Sequence, residues 1–251
     1  MAVVLPHFAP EKTPAVLMAS LSLVGKSHSL RCDAKQAENR FAEFERFITS
    51  VDHFRLGDYL PSAFIKGSQP SYIESLDPEG VPVISTLTIQ DLSICTDLCR
   101  YITQEEYDAI ADERKPRNGD VLLTMDGGTS IGKPAVFHLP DDYAIDSHVA
   151  ILRPTGISPK LVAYLLASPL GRLQFQQAES GASGQTSVAE DDVRRFRFPV
   201  LTCDCIERVL NDLDSHREDT YRLKAELQAR EEKAWLAFSR SLLSETQPLK
   251  G

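Results

Sequence analysis

Residues 119–137 read GDVLLTMDGGTSIGKPAVF, and the fold turns on how this stretch is interpreted. An apolar run, Val121–Met125, leads into Asp126-Gly127-Gly128, and a second apolar run, Pro134–Phe137, follows Lys133. Gly127, Gly132 and Lys133 match all but the last letter of the phosphate-loop pattern G-x-x-x-x-G-K-[ST]. A working phosphate loop needs a hydroxyl after its lysine to hold Mg²⁺, and a helix starting there to aim N–H groups at the phosphates. Here Pro134 removes the hydroxyl and one donor, and Ala135-Val136-Phe137 fits a strand better than a helix. The stretch therefore predicts a strand–loop–strand unit with a polar, glycine-bearing tip, not a nucleotide-binding loop.

The surrounding chain has 251 residues, enough for one large domain or one domain plus an extension. At 42% hydrophobic and 25% charged it belongs to the globular class, not the disordered one. The apolar stretch Ala15–Ala19 is too short for a membrane span and lacks a preceding basic flank, so a cytoplasmic location without membrane association is expected. Cysteines 32, 95, 99, 203 and 205 read as reduced thiols. Cys95/Cys99 and Cys203/Cys205 lack the spacing of zinc knuckles, so no metal is expected. The net charge is −9, and residues 51–203 alone carry −8. Any surface for a polyanion in that segment must be a local patch on an acidic body.

Three regions separate by pattern: 1–50, 51–202 and 203–251. The first is an N-terminal extension, broken early by Pro6, Pro10 and Pro14. Ala37, Phe41, Phe44, Phe47 and Ile48 then recur at helical spacing over 33–50, with Phe44 and Phe47 expected to pack on the next domain. The second is expected to be a compact α+β domain with a mixed sheet. Its strand candidates are Val81–Ile84, Val121–Leu123, Pro134–Phe137 and His148–Leu152, with turns at 118–120 and 126–128. Thr103-Gln104-Glu105-Glu106 forms a capping box for a helix over 103–114, and Ser158-Pro159 opens another to about Ser168. The third region has neither Gly nor Pro from Asp204 to Glu245, which predicts one helix roughly 60 Å long at 1.5 Å per residue. Ile206, Leu213, Thr220, Leu227 and Ala234 recur every seven residues, with Val209 and Leu223 between them and Trp235, Phe238 and Leu242 at the end. Such a stripe calls for a second helix.

Catalytic patterns are near misses only. Asp146-Ser147-His148 has triad letters, but neighbours in a strand alternate faces. Ser180–Gly184 is not a nucleophile elbow, and Pro140-Asp141 lacks the lysine-bearing run of a nuclease. No cofactor-binding motif is present, so neither a catalytic constellation nor a cofactor is expected. What remains is a pair of loops rich in small and hydrogen-bonding residues, 125–133 and 180–187, followed by the basic run Arg194-Arg195-Phe196-Arg197.

In its ordered series the chain resembles the specificity (S) subunits of Type I restriction–modification systems. Residues 119–137 resemble the central signature of their target recognition domains. Residues 54–60 and Ile65-Lys66-Gly67 resemble the domain opening, and residues 81–89 the first core strand. Residues 145–154 resemble a later strand, 158–168 a helix, and 180–200 the segment that enters the long helix. The resemblance covers about residues 51–246 and implies a subunit that recognises DNA without doing chemistry. It further implies methyltransferase and restriction subunits as partners. Such subunits have two recognition domains separated by two long helices, so this chain resembles half of one, and a homodimer through the C-terminal helix is implied.

The residues expected to touch double-stranded DNA are Lys66, Ser68, Thr86, Gly127, Gly128, Ser130, Lys133, Gln185, Thr186 and Arg194. Lys66, Lys133 and Arg194 would meet phosphate or guanine, and the polar side chains base edges. Ile206, Leu213, Leu223, Leu227 and Trp235 would line the helix pairing. The alternative is a scaffold or regulatory protein that keeps the recognition fold without binding DNA, which the acidic balance favours.

Overall fold

The computed structural model describes residues 38–74, 79–90, 92–182 and 185–245. The chain divides into two units, one ending at Val200 and one beginning at Leu201. Helix α1 (Asn39–Thr49) leads into strands β1 (His53–Arg55), β2 (Ile65–Lys66) and β3 (Val81–Ile84). The short strands β4 (Ile89–Gln90), β5 (Ser93–Ile94) and β6 (Arg100–Ile102) precede helix α2 (Gln104–Asp108). Then come β7 (Val121–Thr124), β8 (Pro134–Val136), β9 (Ala144–Ile145) and β10 (Val149–Leu152). Helices α3 (Pro159–Ala167) and α4 (Pro169–Ala178), hairpin β11 (Ser180–Ala182)–β12 (Gln185–Ser187), α5 (Glu190–Arg194) and β13 (Arg197–Pro199) complete the first unit. Helix α6 (Cys203–Glu245) makes up the second.

The architecture is α+β, as expected. A four-stranded antiparallel sheet in the order β2-β10-β7-β8 forms its centre. Every residue of β7 and of β10 is buried. Alternation splits them between two cores. Val121, Leu123, Ala150 and Leu152 pack with Val162, Leu166, Phe175 and Phe196 on the helical side. Leu122, Val149 and Ile151 pack with Ile84, Ile89, Phe137 and Ile145 on the other. Burial on both faces explains why these strands read as continuous apolar runs rather than alternating ones. A second sheet, β6-β3-β9, pairs β3 with β9 in parallel.

Helix boundaries follow local chemistry. Thr103 caps α2, its hydroxyl accepting the Glu106 N–H, while the Glu106 carboxylate accepts the Ser71 N–H at 2.9 Å, so only half of the expected capping box forms. Helix α2 ends at Asp108 and a 3-10 turn covers Asp112–Arg114. The single helix expected over 103–114 is thus two shorter pieces. Ser168 ends α3 and also caps α4, its Oγ accepting the Gly171 N–H at 3.2 Å. Pro169 therefore stands at the first position of a new helix, where its missing donor costs nothing. Helix α1 starts at Asn39, and the start expected at residue 33 lies outside the described residues, as does residue 183. Phe44 is buried with Phe41, Ile48 and Leu173, and Phe47 packs at the margin of that cluster. Among the described residues no helix is long and apolar enough to cross a membrane.

One glycine fixes how the two sheets join. A Cβ on Gly67 would lie 2.1 Å from the Ile145 carbonyl oxygen and 2.3 Å from that of Asp146. Both obstacles are backbone, so they cannot swing aside. Gly67→Ala is expected to cost about 1–3 kcal/mol or more, as overpacking does. A thermal melt checks this, and an unchanged Tm would contradict the close approach.

Candidate functional site

Antiparallel register brings four loop ends to one end of the central sheet. Val149 pairs with Thr124, Ala150 with Lys66, and Leu123 with Pro134. The residues just beyond the strands, Lys66-Gly67, His148, Met125-Asp126 and Lys133, therefore line one edge in that spatial order. Further backbone contacts extend the band. Ser68 bridges Asp146, whose N–H donates to the Ile84 carbonyl at 3.0 Å, two residues before Thr86. Asp126 bridges Ser187, the Gly127 N–H donates to Thr186 O at 3.0 Å, and the Val188 N–H donates to Met125 O at 3.0 Å. The two polar loops singled out in the sequence are thus stitched together.

The 125–133 loop is a rigid hairpin tip. Buried Thr124 ties it down: its hydroxyl donates to Ser130 O and accepts the Lys133 N–H at 2.9 Å. Gly127 has φ +105°, with only the Ser130 Cβ near its missing side chain, so the glycine is required by conformation rather than by space. The N–H groups of Gly127, Ser130, Gly132 and Lys133 are all donated within the protein. These are the groups a phosphate loop would aim outward, and the chain continues into strand β8, not a helix.

The electrostatics of the edge centre on Asp126. Its Oδ2 lies 3.3 Å from Lys66 Nζ and 3.8 Å from His148 Nδ1. Lys133 is half-buried, and no described carboxylate pairs with it. Asp146 is buried behind this edge, and burial pushes its carboxyl above the usual range, while the His148 N–H, donating to its Oδ1 at 2.9 Å, pulls it down. Asp146, Ser147 and His148 do not converge on one proton. Ser147 Oγ donates to Gln69 Oε1 at 3.2 Å, and the His148 ring faces Asp126. Gly128 is exposed at the tip, and Ser130 and Thr86 are half-buried. Gln185 is placed by its backbone alone, pairing with Ala182. The Thr186 hydroxyl is buried and has no hydrogen-bond partner among the described residues.

Arg194 does not join this edge. Its Nε donates to Glu190 Oε1 at 2.7 Å, its terminal nitrogens donate to the Leu60 and Ser62 carbonyls, and its guanidinium lies 5.2 Å from the Phe64 ring centroid. Of its neighbours, Arg197 pairs with Glu45, and the exposed Arg195 lies 3.8 Å from Asp191 and 3.6 Å from Asp192. Arg194, expected at DNA, thus has its guanidinium engaged by Glu190 and the Leu60 and Ser62 carbonyls in this structure. Sequence reasoning missed His148 and Asp126 because their meeting depends on strand register. The one local signal was a histidine immediately before an apolar run.

In the second unit, α6 runs without interruption for 43 residues. Val209, Leu213, Leu223, Leu227, Trp235, Phe238 and Leu242 are exposed, and Ile206 is half-buried. Trp235 and Phe238 stack edge-to-face at 5.9 Å. Among the thiols, burial with Cys95 and Asp97 nearby pushes Cys99 up to about 11, so it stays protonated at neutral pH. Among the described residues no group of three or more His, Cys, Asp or Glu side chains is placed to hold a metal ion.

No family model and no curated protein matches the sequence. Solved structures do. The chain superposes on one from a study of complex assembly and conformational transition of the type I R-M system, with TM-score 0.53 and 18% identity over 89% of this chain and 55% of that one. It is also similar to the Type-I restriction-modification system S subunit from M. genitalium (TM-score 0.48, 13% identity, 72% of this chain and 43% of that one). A third similar structure is the HsdS subunit from Thermoanaerobacter tengcongensis (TM-score 0.47, 17% identity, 81% and 49%). At TM-score 0.53 the chain shares the fold of the type I R-M system structure, and it spans about half the length of the structures it matches.

Because the Arg194 guanidinium is engaged by hydrogen bonds within the protein, Arg194→Ala should lower stability by about 2 kcal/mol, the loss expected for hydrogen bonds to a charged group. It should leave the salt dependence of any DNA binding unchanged. Denaturant unfolding reads the first and a salt titration the second.

Proposed function

We propose that this chain is the sequence-recognition unit of a Type I-like restriction–modification system, directing a methyltransferase and restriction assembly to its target site. One observation carries the reading. In a specificity-subunit fold, Lys66, His148 and Lys133 line one end of the central sheet beside Ser68, Ser130 and Thr186. With the 194–197 arginines paired to carboxylates of the protein itself, this edge supplies the local patch that an acidic body requires in order to meet a duplex. Lys66 and Lys133 take phosphate or guanine. Ser68, Thr86, Ser130 and Gln185 serve as base-edge readers, Thr186 lies at the same edge with its hydroxyl buried, and Gly127 and Gly128 keep the tip slim. Recognition, not catalysis, is the proposed task, and it draws on no cofactor.

The exposed stripe Leu213, Leu223, Leu227 and Trp235 takes a second helix, which we assign to another copy of this chain. A two-fold pair would set two equal readers on a bipartite site. The second reading, a scaffold that has lost DNA binding, draws support from Asp126, a carboxylate amid the edge cations.

Lys133→Ala should weaken binding to every duplex and lower the slope of log K against log salt by about 1. Mobility shifts across a salt series measure this, and identical slopes would remove Lys133 from the interface. Sedimentation equilibrium should show a dimer that Leu223→Glu with Leu227→Glu converts to a monomer. A wild-type monomer at micromolar concentration would overturn the pairing.

A further inference from the structure

The middle of the sheet end holds a carboxylate. Asp126 stands between Lys66 and His148, and its place is imposed by backbone. It bridges Ser187, while the preceding Met125 donates its N–H to His148 O at 2.9 Å and accepts the Val188 N–H at 3.0 Å. The side chain is 24% exposed, and its second oxygen, Oδ1, has no hydrogen-bond partner among the described residues. The negative charge also reaches Asp146 behind it, where it adds to the upward push of burial.

On a face that must approach phosphates, such a group works against general affinity. It repels the DNA backbone and neutralises Lys66. A carboxylate can only accept hydrogen bonds, so the groups on a duplex that satisfy it are the exocyclic amino groups of the bases. Phosphate oxygens and base keto groups leave it unpaired and desolvated, which is costly. This combination, unfavourable everywhere except at a donor, is how an interface discriminates.

We infer that Asp126 is a specificity-determining residue: it accepts a hydrogen bond from a base exocyclic amino group at one position of the target, and in doing so releases Lys66 to a neighbouring phosphate. The inference rests on the DNA-recognition reading above. Without the amino donor, Asp126 keeps Lys66 paired and faces the duplex as an uncompensated negative charge.

Selection from a randomised duplex pool tests it, comparing wild type with Asp126→Ala, Asp126→Asn and Lys66→Ala, each checked by a thermal melt. Wild type should enrich an amino-bearing base at one position, and whether that base is cytosine, adenine or guanine identifies the donor. Asp126→Ala should lose about tenfold in preference there, within the range of one good base contact, while binding random duplex severalfold more tightly. The near-isosteric Asp126→Asn guards against misfolding. Its amide also donates, so it should admit a keto-bearing base at the same position. Lys66→Ala should weaken binding to all sequences and keep the preference. If Asp126→Ala and Asp126→Asn leave every positional preference intact, the inference is overturned while the DNA reading stands. If the wild type binds no duplex, both are overturned.

Discussion

The pairing of Val121–Thr124 with Val149–Leu152 is the constraint on which the rest depends. All eight residues are buried, so the two strands have cores on both faces and neither can slip by one residue without exchanging its two sets of side chains. The register in turn determines which loops meet. Thr124 opposite Val149 puts Asp126 next to His148. Lys66 opposite Ala150 brings the Gly67 backbone onto Ile145 and Asp146, and Pro134 opposite Leu123 returns Lys133 to the same edge. The polar edge is a consequence of apolar packing, which is why so little of its geometry rests on its own hydrogen bonds to flexible side chains.

Charge is managed in the same economical way. Several arginines are paired within the protein, Arg153 with Asp120 at 3.1 Å, Arg194 with Glu190 and Arg197 with Glu45. These pairs anchor segments distant in sequence, since Arg194 also reaches the carbonyls of Leu60 and Ser62. Cations that remain at the surface of the sheet end carry more weight for being few. The balance between Lys66, His148 and Asp126 there resembles an interface tuned to reject most partners more than one built for general affinity.

Features governed by neighbours in the chain were legible in the sequence. Pro134 after Lys133 pointed to a strand in place of a phosphate-binding helix, the Gly127 turn marked a hairpin tip, and the Gly- and Pro-free run to Glu245 gave the long helix. Features governed by distant partners were not. Three arginines in four residues looked like a basic patch because Glu45, Leu60 and Ser62 are more than 130 residues away. The helix expected to end near Ser168 is followed at once by another, because proline at the first helical position starts a helix and Ser168 serves both ends. Asp126 and His148 meet only through strand register, so no spacing rule could have joined them.

The central claim is that the sheet end bearing Asp126 and Lys133 is the face that meets a duplex. Site-directed photocrosslinking tests it most directly, with a benzophenone group placed at Ser130 on that end or at Asn118, which precedes β7 at the opposite end. The account predicts labelling of duplex DNA from Ser130 and none from Asn118, with the Ser130 signal falling as salt rises. Equal labelling from both positions, or labelling from Asn118 alone, would contradict it.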